Sequence, residues 1–94
     1  MMPAELQAAA PVNAKRVLIA EDNADLRKLF SYVFQKNGYA VHTVADGQRA
    51  LDFLNTQPLP DVIILDVNMP YVSGLDLLQH VRATSTMKHV QVIL

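Results

Sequence analysis

The chain contains no cysteine. This absence excludes a disulfide framework, thiolate metal sites and cysteine nucleophiles as the basis of its structure or chemistry. It also agrees with the reducing conditions of the cytoplasm, where we expect the protein to act.

Long hydrophobic runs and an excess of one charge are lacking as well. No apolar stretch approaches the roughly 20 residues of a membrane-spanning helix. The formal net charge is −1, which gives no electrostatic signature of nucleic-acid or anionic-membrane binding. We therefore expect protein partners, no nucleic acid and no membrane. A length of 94 residues allows one domain at most, with a small core.

The chain divides into a leader and a domain. Residues 1–14 have neither the basic start nor the continuous apolar run of a signal peptide, and we predict a disordered leader. Residues 15–94 alternate short β-rich runs with segments of helical periodicity, the pattern of βαβ units around a parallel sheet. The four predicted strands are Arg16–Ala20, Val41–Val44, Asp61–Leu65 and Val90–Leu94.

Three helices are predicted between these strands. The first is capped by Asn23 and ends near Gly38, the second opens at Gly47, and the third follows Gly74. The third strand is apolar on both faces of its pleat, so we expect it to be central and covered by helices on both sides. The apolar stripe of the first helix consists of Leu26, Leu29, Phe30, Val33 and Phe34.

Three carboxylates stand where two of the strands end. Glu21 and Asp22 follow the first strand, and Asp66 follows the third. In an open parallel sheet, ligands bind beyond the carboxyl ends of the strands, and adjacent strands would bring these acids within a few ångströms of one another. Like charges so close together oppose ionisation. The sequence therefore predicts a divalent cation site, with Mg²⁺ as the ion and oxygen atoms as its ligands.

Two segments, VLIAEDN and DVIILDVNMPYVSGLDLL, resemble the receiver domain of two-component response regulators. The resemblance covers Lys15 to Leu94. It rests on the acidic pair at the first strand end and on an Asp-x-x-Met-Pro-x-x-x-Gly string at the third. It implies a flavodoxin-like (CheY-like) doubly wound α/β fold with strand order 2-1-3-4, in which the family's fifth strand and last two helices are missing.

The resemblance also implies roles for individual residues. Asp66 would accept a phosphoryl group from a histidine kinase or a histidine phosphotransfer protein. Mg²⁺ would be held by Glu21, Asp22 and Asp66 and by the backbone carbonyl of Asn68. A carboxylate can attack phosphorus when it is held in line and a metal neutralises the transferring oxygens. Such a module assists its own phosphoryl transfer and is not a turnover enzyme.

Other residues are expected to shape the site or to bind the partner. Met69 and Pro70 would shape the loop after the phosphoacceptor. Gly74 would allow either a positive φ or a close approach where the third helix starts. The expected partner face lies on the exposed side of the first helix, at Ala24, Arg27, Lys28 and Ser31.

Two other functions remain open. An aspartate-nucleophile phosphatase of the haloacid-dehalogenase type would carry Asp-x-Asp on the first strand, whereas here the candidate follows the third strand and residue 68 is Asn. An inactive receiver fragment would act only by association, because the family's switch Ser or Thr and its Lys fall beyond Leu94. We expect the 94-residue chain to fold poorly alone or to form a homodimer through the open strand edge at Val90 to Leu94.

Overall fold

A computed structural model describes residues 13–56, 58–69 and 71–94 of the chain. Most of the predicted leader, residues 1–12, lies outside the described residues, as does Pro70. The described elements are β1 Arg16–Ala20, α1 Ala24–Lys36, β2 Ala40–Val44, α2 Gly47–Thr56, β3 Val62–Leu65, α3 Gly74–Ala83 and β4 Gln91–Ile93.

The four strands form one parallel sheet in the order β2-β1-β3-β4. This order and the alternation of strands with helices confirm the predicted flavodoxin-like α/β fold. Each predicted strand is present, with bounds that differ by one residue at most at either end. β3 lies between β1 and β4, as the apolar run on both of its faces predicted.

The predicted start and end signals of α1 are both in place. The Oδ1 atom of Asn23 accepts hydrogen bonds from the backbone N–H groups of Asp25 and Leu26, each at 3.0 Å. These bonds satisfy two of the N–H groups that the first turn of a helix leaves unpaired. After Asn37 the chain turns through Gly38 with a φ of +90°, a conformation that glycine adopts without strain.

The start of α3 is fixed by a capping box that the sequence analysis did not identify. The Ser73 hydroxyl accepts from the Asp76 N–H, and the Asp76 carboxylate accepts from the Ser73 N–H, both at 3.2 Å. Gly74 follows directly, and its φ is not positive. A Cβ at this position would overlap the backbone carbonyl of Asp66, so the close approach is the reason for glycine. α3 therefore begins against the strand end that carries Asp66.

The hydrophobic core lies on one side of the sheet, beneath α2 and α3. Leu18, Ile63, Leu77 and Val81 are fully buried there. The rest of this core cluster consists of Ala20, Val44, Ala50, Leu54, Leu65, Met69, Met87 and Val90.

The opposite face of the sheet is covered only in part by the described residues. α1 packs over β1 and β2, where it buries Val17 and Ile19. Because α1 does not extend over β3 and β4, Val62 and Ile64 stay half-buried and Ile93 is 46% exposed. The expectation that helices cover β3 on both sides was therefore wrong for this part of the chain.

The same offset leaves three of the five residues of the apolar stripe of α1 exposed, whereas Phe30 and Phe34 are half-buried. Leu26, Leu29 and Val33 are 41%, 53% and 43% exposed, and no residue of the helix is buried. The sequence pattern identified the stripe correctly, but helical periodicity gives only the face that is apolar. It does not say how much of that face a neighbouring element covers.

Candidate functional site

The pairing of β1 with β3 brings the three predicted acids together. Ala20 lies opposite Leu65 in the parallel register, and the Asp66 N–H donates to the Ala20 carbonyl at 2.9 Å. Glu21 and Asp66 therefore leave neighbouring strands at the same level of the sheet. One carboxylate oxygen from each of Glu21, Asp22 and Asp66 lies within 4.8 Å of the others.

The three acids differ in their exposure to solvent. Glu21 is buried, with 8% of its surface exposed, whereas Asp66 is half-buried and Asp22 is exposed. Glu21 and Asp66 open onto a cavity of about 390 Å³. The apolar side of this cavity is lined by Ile19, Ala20, Phe30, Ile64, Leu65, Val67 and Leu94, and Asn68 completes its lining. A ligand at Asp66 would thus meet carboxylates on one side and apolar surface on the other.

Burial of the Glu21 side chain raises the pKa of its carboxyl, and the nearby charge of Asp66 raises it further. The Asn23 N–H donates to Glu21 Oε2 at 3.2 Å and lowers this pKa, but by less than burial raises it. Crowding by acids in a partly desolvated site is a general cause of such a shift. Without a cation, the pKa of the Glu21 carboxyl therefore lies above its ordinary value.

The pKa of Asp66 is lowered, and the main cause is a backbone hydrogen bond. The Asn68 N–H donates to Asp66 Oδ1 at 3.1 Å, and hydrogen bonds with Asp22 and Glu21 act in the same direction against the effect of burial. An N–H group that points at a carboxylate stabilises its charged form. Asp66 is thus held in the ionised state that a nucleophile or a metal ligand requires.

The donor set of this cluster fits a hard divalent cation. All three side chains offer carboxylate oxygens, the ligands that Mg²⁺ prefers, and no Lys or Arg of the described residues forms an ion pair with them. A cation between the acids would relieve the repulsion that raises the Glu21 pKa. It would also leave coordination positions for water and for a substrate oxygen.

The remaining predicted site residues lie around this cluster. Asn68 is exposed in the turn after Asp66. On α1, Ala24 and Lys28 are exposed, whereas Arg27 and Ser31 are half-buried. The predicted partner residues therefore share the first two turns of the helix that begins beside the acidic pair, but they are not equally accessible.

Two features of the site were missed by sequence reasoning. The Arg27 guanidinium donates to the backbone carbonyls of Glu21 and Asp22, at 2.8 Å and 3.4 Å. Tyr71, in the loop after Asp66, has a φ of +68° and is 88% exposed. A positive φ is uncommon for a bulky residue, and no local pattern in the sequence signals it.

Comparison with known proteins agrees with this geometry. The family model for the response regulator receiver domain matches residues 17–94 of the sequence. The chain therefore belongs to this family of two-component signalling modules. The phosphate regulon transcriptional regulatory protein PhoB of Escherichia coli is 32% identical over 81 residues, which are 86% of this chain and 35% of PhoB. The polar-differentiation response regulator DivK of Brucella anthropi is 35% identical over 79 residues, 84% of this chain and 63% of DivK.

Solved structures show the same fold. The chemotaxis response regulator CheY4 of Vibrio cholerae matches with a TM-score of 0.80 and 36% identity, over 85% of this chain and 66% of that one. The signal receiver domain of a signal transduction histidine kinase from Syntrophus aciditrophicus has a TM-score of 0.80 and 29% identity, over 84% and 59% of the two chains. The chain spans about a third of the length of PhoB. Within the described residues, no helix has the length and apolar character needed to cross a membrane.

The raised pKa of Glu21 leads to a prediction about the metal-free protein: Glu21→Gln should increase its stability at neutral pH. Because the pKa of Glu21 is higher in the folded than in the unfolded state, the wild type loses stability as the pH rises through that raised pKa. Glutamine does not titrate and avoids this loss. Denaturant midpoints measured at a series of pH values should show the variant's advantage growing with pH.

Two comparisons make this test specific. Asp66 has the opposite shift, so its contribution is present at neutral pH and is lost as the pH falls through its lowered pKa, whose main cause, the Asn68 N–H, is retained in the variant. Asp52→Asn serves as a control, because Asp52 is exposed on α2 and accepts a side-chain hydrogen bond from Gln48. An advantage of Glu21→Gln that did not change with pH would contradict the electrostatic explanation.

Proposed function

We propose that the protein is a phosphoacceptor module in which Asp66 receives a phosphoryl group from a phosphohistidine of a histidine kinase or histidine phosphotransfer protein. The observation that carries this proposal is the cluster of three carboxylates in which Asp66 has a lowered pKa, mainly because the Asn68 N–H donates to it. Membership of the receiver family supports it. The proposal includes a cytoplasmic location, where such kinases present their phosphohistidine.

The reaction follows from the placement of Asp66. Its carboxylate oxygen attacks the phosphorus atom, an O–P bond forms, and the P–N bond of the phosphohistidine breaks. The imidazole nitrogen of the donor takes the bonding electron pair and then a proton. Asp66 is suited to this attack because its pKa is lowered and it faces the cavity, whereas Glu21 is buried and its pKa is raised. The aspartyl phosphate is the product, so the module is not a turnover enzyme.

Glu21, Asp22, Asp66 and the backbone carbonyl of Asn68 would hold Mg²⁺ in this site. When bound, the ion supplies positive charge that neutralises the acids and the oxygens of the transferring phosphoryl group. The carboxylates of Glu21 and Asp22 would position the ion beside Asp66. The Asn68 N–H holds the Asp66 carboxylate in place and favours its charged form.

The partner face is proposed on the first two turns of α1, at Ala24, Arg27, Lys28 and Ser31. This helix starts directly after the acidic pair, so a protein that docks on it reaches the cavity at Asp66. The exposed apolar residues of the same helix support the proposal, since exposed apolar surface often marks a binding face. A haloacid-dehalogenase type of phosphatase is disfavoured, because Asp66 follows β3 and residue 68 is Asn.

We also propose that a polypeptide of these 94 residues self-associates. Within the described residues, β4 has a hydrogen-bonded neighbour on one side only. Ile93 is 46% exposed on the face that α1 does not cover, and Leu94, which follows the strand, is 53% exposed. An unpaired strand edge beside an apolar face favours pairing with another strand, which would make a homodimer through Val90 to Leu94.

Asp66→Asn is expected to abolish phosphorylation of the protein by acetyl phosphate in the presence of Mg²⁺. Asparagine keeps the shape of the side chain but lacks the anionic oxygen that attacks phosphorus. Intact-mass measurement would detect the adduct, and hydroxylamine would remove it because acyl phosphates are sensitive to this nucleophile. Asp52→Asn, an exposed carboxylate on α2, is the matched control and should be phosphorylated like the wild type. A hydroxylamine-sensitive adduct that persisted in Asp66→Asn would place the acceptor elsewhere.

Asp22→Asn is expected to weaken the binding of Mg²⁺ or Mn²⁺ by at least about tenfold, the effect commonly found when groups around a bound metal are changed. The substitution removes one negative charge and one strong oxygen ligand from the cluster. Calorimetric titration measures the affinity. Asp25→Asn removes the same charge from the first turn of α1, outside the cluster, and should have a much smaller effect. Equal affinities for wild type and Asp22→Asn would exclude this carboxylate as a ligand.

Ile93→Lys is expected to shift the 94-residue polypeptide towards monomer. The substitution places a charge on the uncovered face and removes apolar surface that association would bury. Sedimentation across a concentration series would show a dissociation constant raised by at least about tenfold, as for the loss of one buried aliphatic side chain. Gln91→Lys adds the same charge to the same strand without removing apolar surface and should have a smaller effect. A wild type that stayed monomeric at high concentration would contradict association.

A further inference from the structure

Arg27 makes a contact with the acidic loop that its place on the proposed partner face does not explain. Its guanidinium reaches from the first turns of α1 to the backbone carbonyls of Glu21, at 2.8 Å, and Asp22, at 3.4 Å. Both carbonyls belong to residues of the carboxylate cluster, which leave β1 at this point. The side chain thus connects the helix to the part of the main chain that carries two of the three acids.

The atoms that Arg27 contacts distinguish this arrangement from an ion pair. Carboxylates are stronger acceptors than backbone carbonyls, yet no ion pair joins Arg27 to the three acids in the described residues. It binds main-chain oxygens instead, so the carboxylate oxygens stay available to a cation. The loop is also fixed from its other side, because the Glu21 carboxylate accepts from the Asn23 N–H and Asn23 caps the helix.

Two other arginines of the chain make the same kind of contact away from the site. In each case one guanidinium nitrogen donates to two backbone carbonyls and so fastens a loop to a strand or helix. These contacts join Arg16 to Pro58 and Leu59, at 2.9 and 2.8 Å, and Arg82 to Lys88 and Val90, at 2.9 and 2.7 Å. The Arg27 contact differs from both because the loop that it fastens carries the acids.

We infer that Arg27 is a positioning residue of the metal site, which fixes the backbone of Glu21 and Asp22 so that their carboxylates converge with Asp66. The inference rests on the proposed function, since it assigns the cluster to a cation. A rigid loop lowers the cost of gathering the ligands, because the main chain is already in place when the cation binds. Without the Arg27 bonds, repulsion among the acids would drive the loop away from Asp66.

Loop positioning and simple charge effects predict opposite outcomes for removal of Arg27. If the side chain acted only through its positive charge, Arg27→Ala would strengthen cation binding, because a like charge near the ion would be gone. If it acts by fixing the loop, Arg27→Ala should weaken Mn²⁺ binding by about tenfold, the lower end of the effect of outer-shell partners on metal affinity. The direction of the change therefore separates the two explanations.

The experiment measures Mn²⁺ affinity by calorimetry and, in the metal-free protein, the hydrogen exchange of the Asn23 amide. Arg27→Ala should weaken Mn²⁺ binding and speed this exchange, because the Asn23 N–H is bonded to Glu21 within the loop. Arg27→Lys keeps the charge but loses the planar, forked donor geometry, and it should restore only part of the affinity. Arg82→Ala is the matched control: it removes an equivalent pair of bonds from α3 and should leave both readouts unchanged.

Each outcome decides for or against the inference. Mn²⁺ affinity that is unchanged or higher in Arg27→Ala would overturn it. If that variant does not fold, a loss of affinity of a few fold in Arg27→Lys supports the inference, and an unchanged affinity overturns it. If the wild type itself binds no Mn²⁺, the proposed function fails. The exchange rate of the Asn23 amide in Arg27→Ala then still shows whether the side chain fixes the loop.

Discussion

The parallel pairing of β1 with β3 brings Glu21, Asp22 and Asp66 into one small volume, where their carboxylates repel one another. The register fixes the two strand ends, since Ala20 and Leu65 lie opposite each other and each is followed by a carboxylate. Backbone N–H groups and burial shift the pKa values of Asp66 and Glu21 in opposite directions. The Asn68 N–H lowers the pKa of Asp66, whereas burial of Glu21 outweighs the Asn23 N–H and raises the pKa of that carboxyl. A cation bound by the three acids would offset their repulsion.

The approach of α3 to the site depends on the same strand end. Gly74 lies so close to the Asp66 carbonyl that no side chain fits between them, and its N–H donates to the Val67 carbonyl at 3.3 Å. The Ser73–Asp76 capping box fixes where the helix begins. The loop between Asp66 and α3 is therefore fixed at both ends, and Tyr71 takes up a positive φ within it. Backbone strain of this kind persists where the surrounding structure determines the chain path.

Much of the fold and the acid cluster could be predicted from the sequence because their signals are local. An apolar run that ends in a carboxylate marks both a strand and the edge of the sheet where its side chain lies, and Asn23 and Gly38 mark the ends of α1 by their own chemistry. Other features depend on packing between distant segments. The exposure of the α1 stripe follows from the position of the helix over β1 and β2, and the Arg27 contacts follow from the path of the loop. Periodicity assigned Arg27 to the outer face, but its length lets it reach back to the main chain.

α1 combines two tasks that constrain each other. Its first turns carry the proposed partner face, and the same turns fasten the acidic loop through the Asn23 cap and the Arg27 guanidinium. A partner that displaced the helix would lengthen the 2.8 Å bond from Arg27 to Glu21 and disturb the acids that the proposed phosphoryl transfer needs. Productive docking must therefore leave α1 in place, which agrees with the small backbone movements of most preorganised interfaces. The exposed Leu29 and Lys28 offer contacts that need no such movement, whereas Arg27 is already engaged by the site.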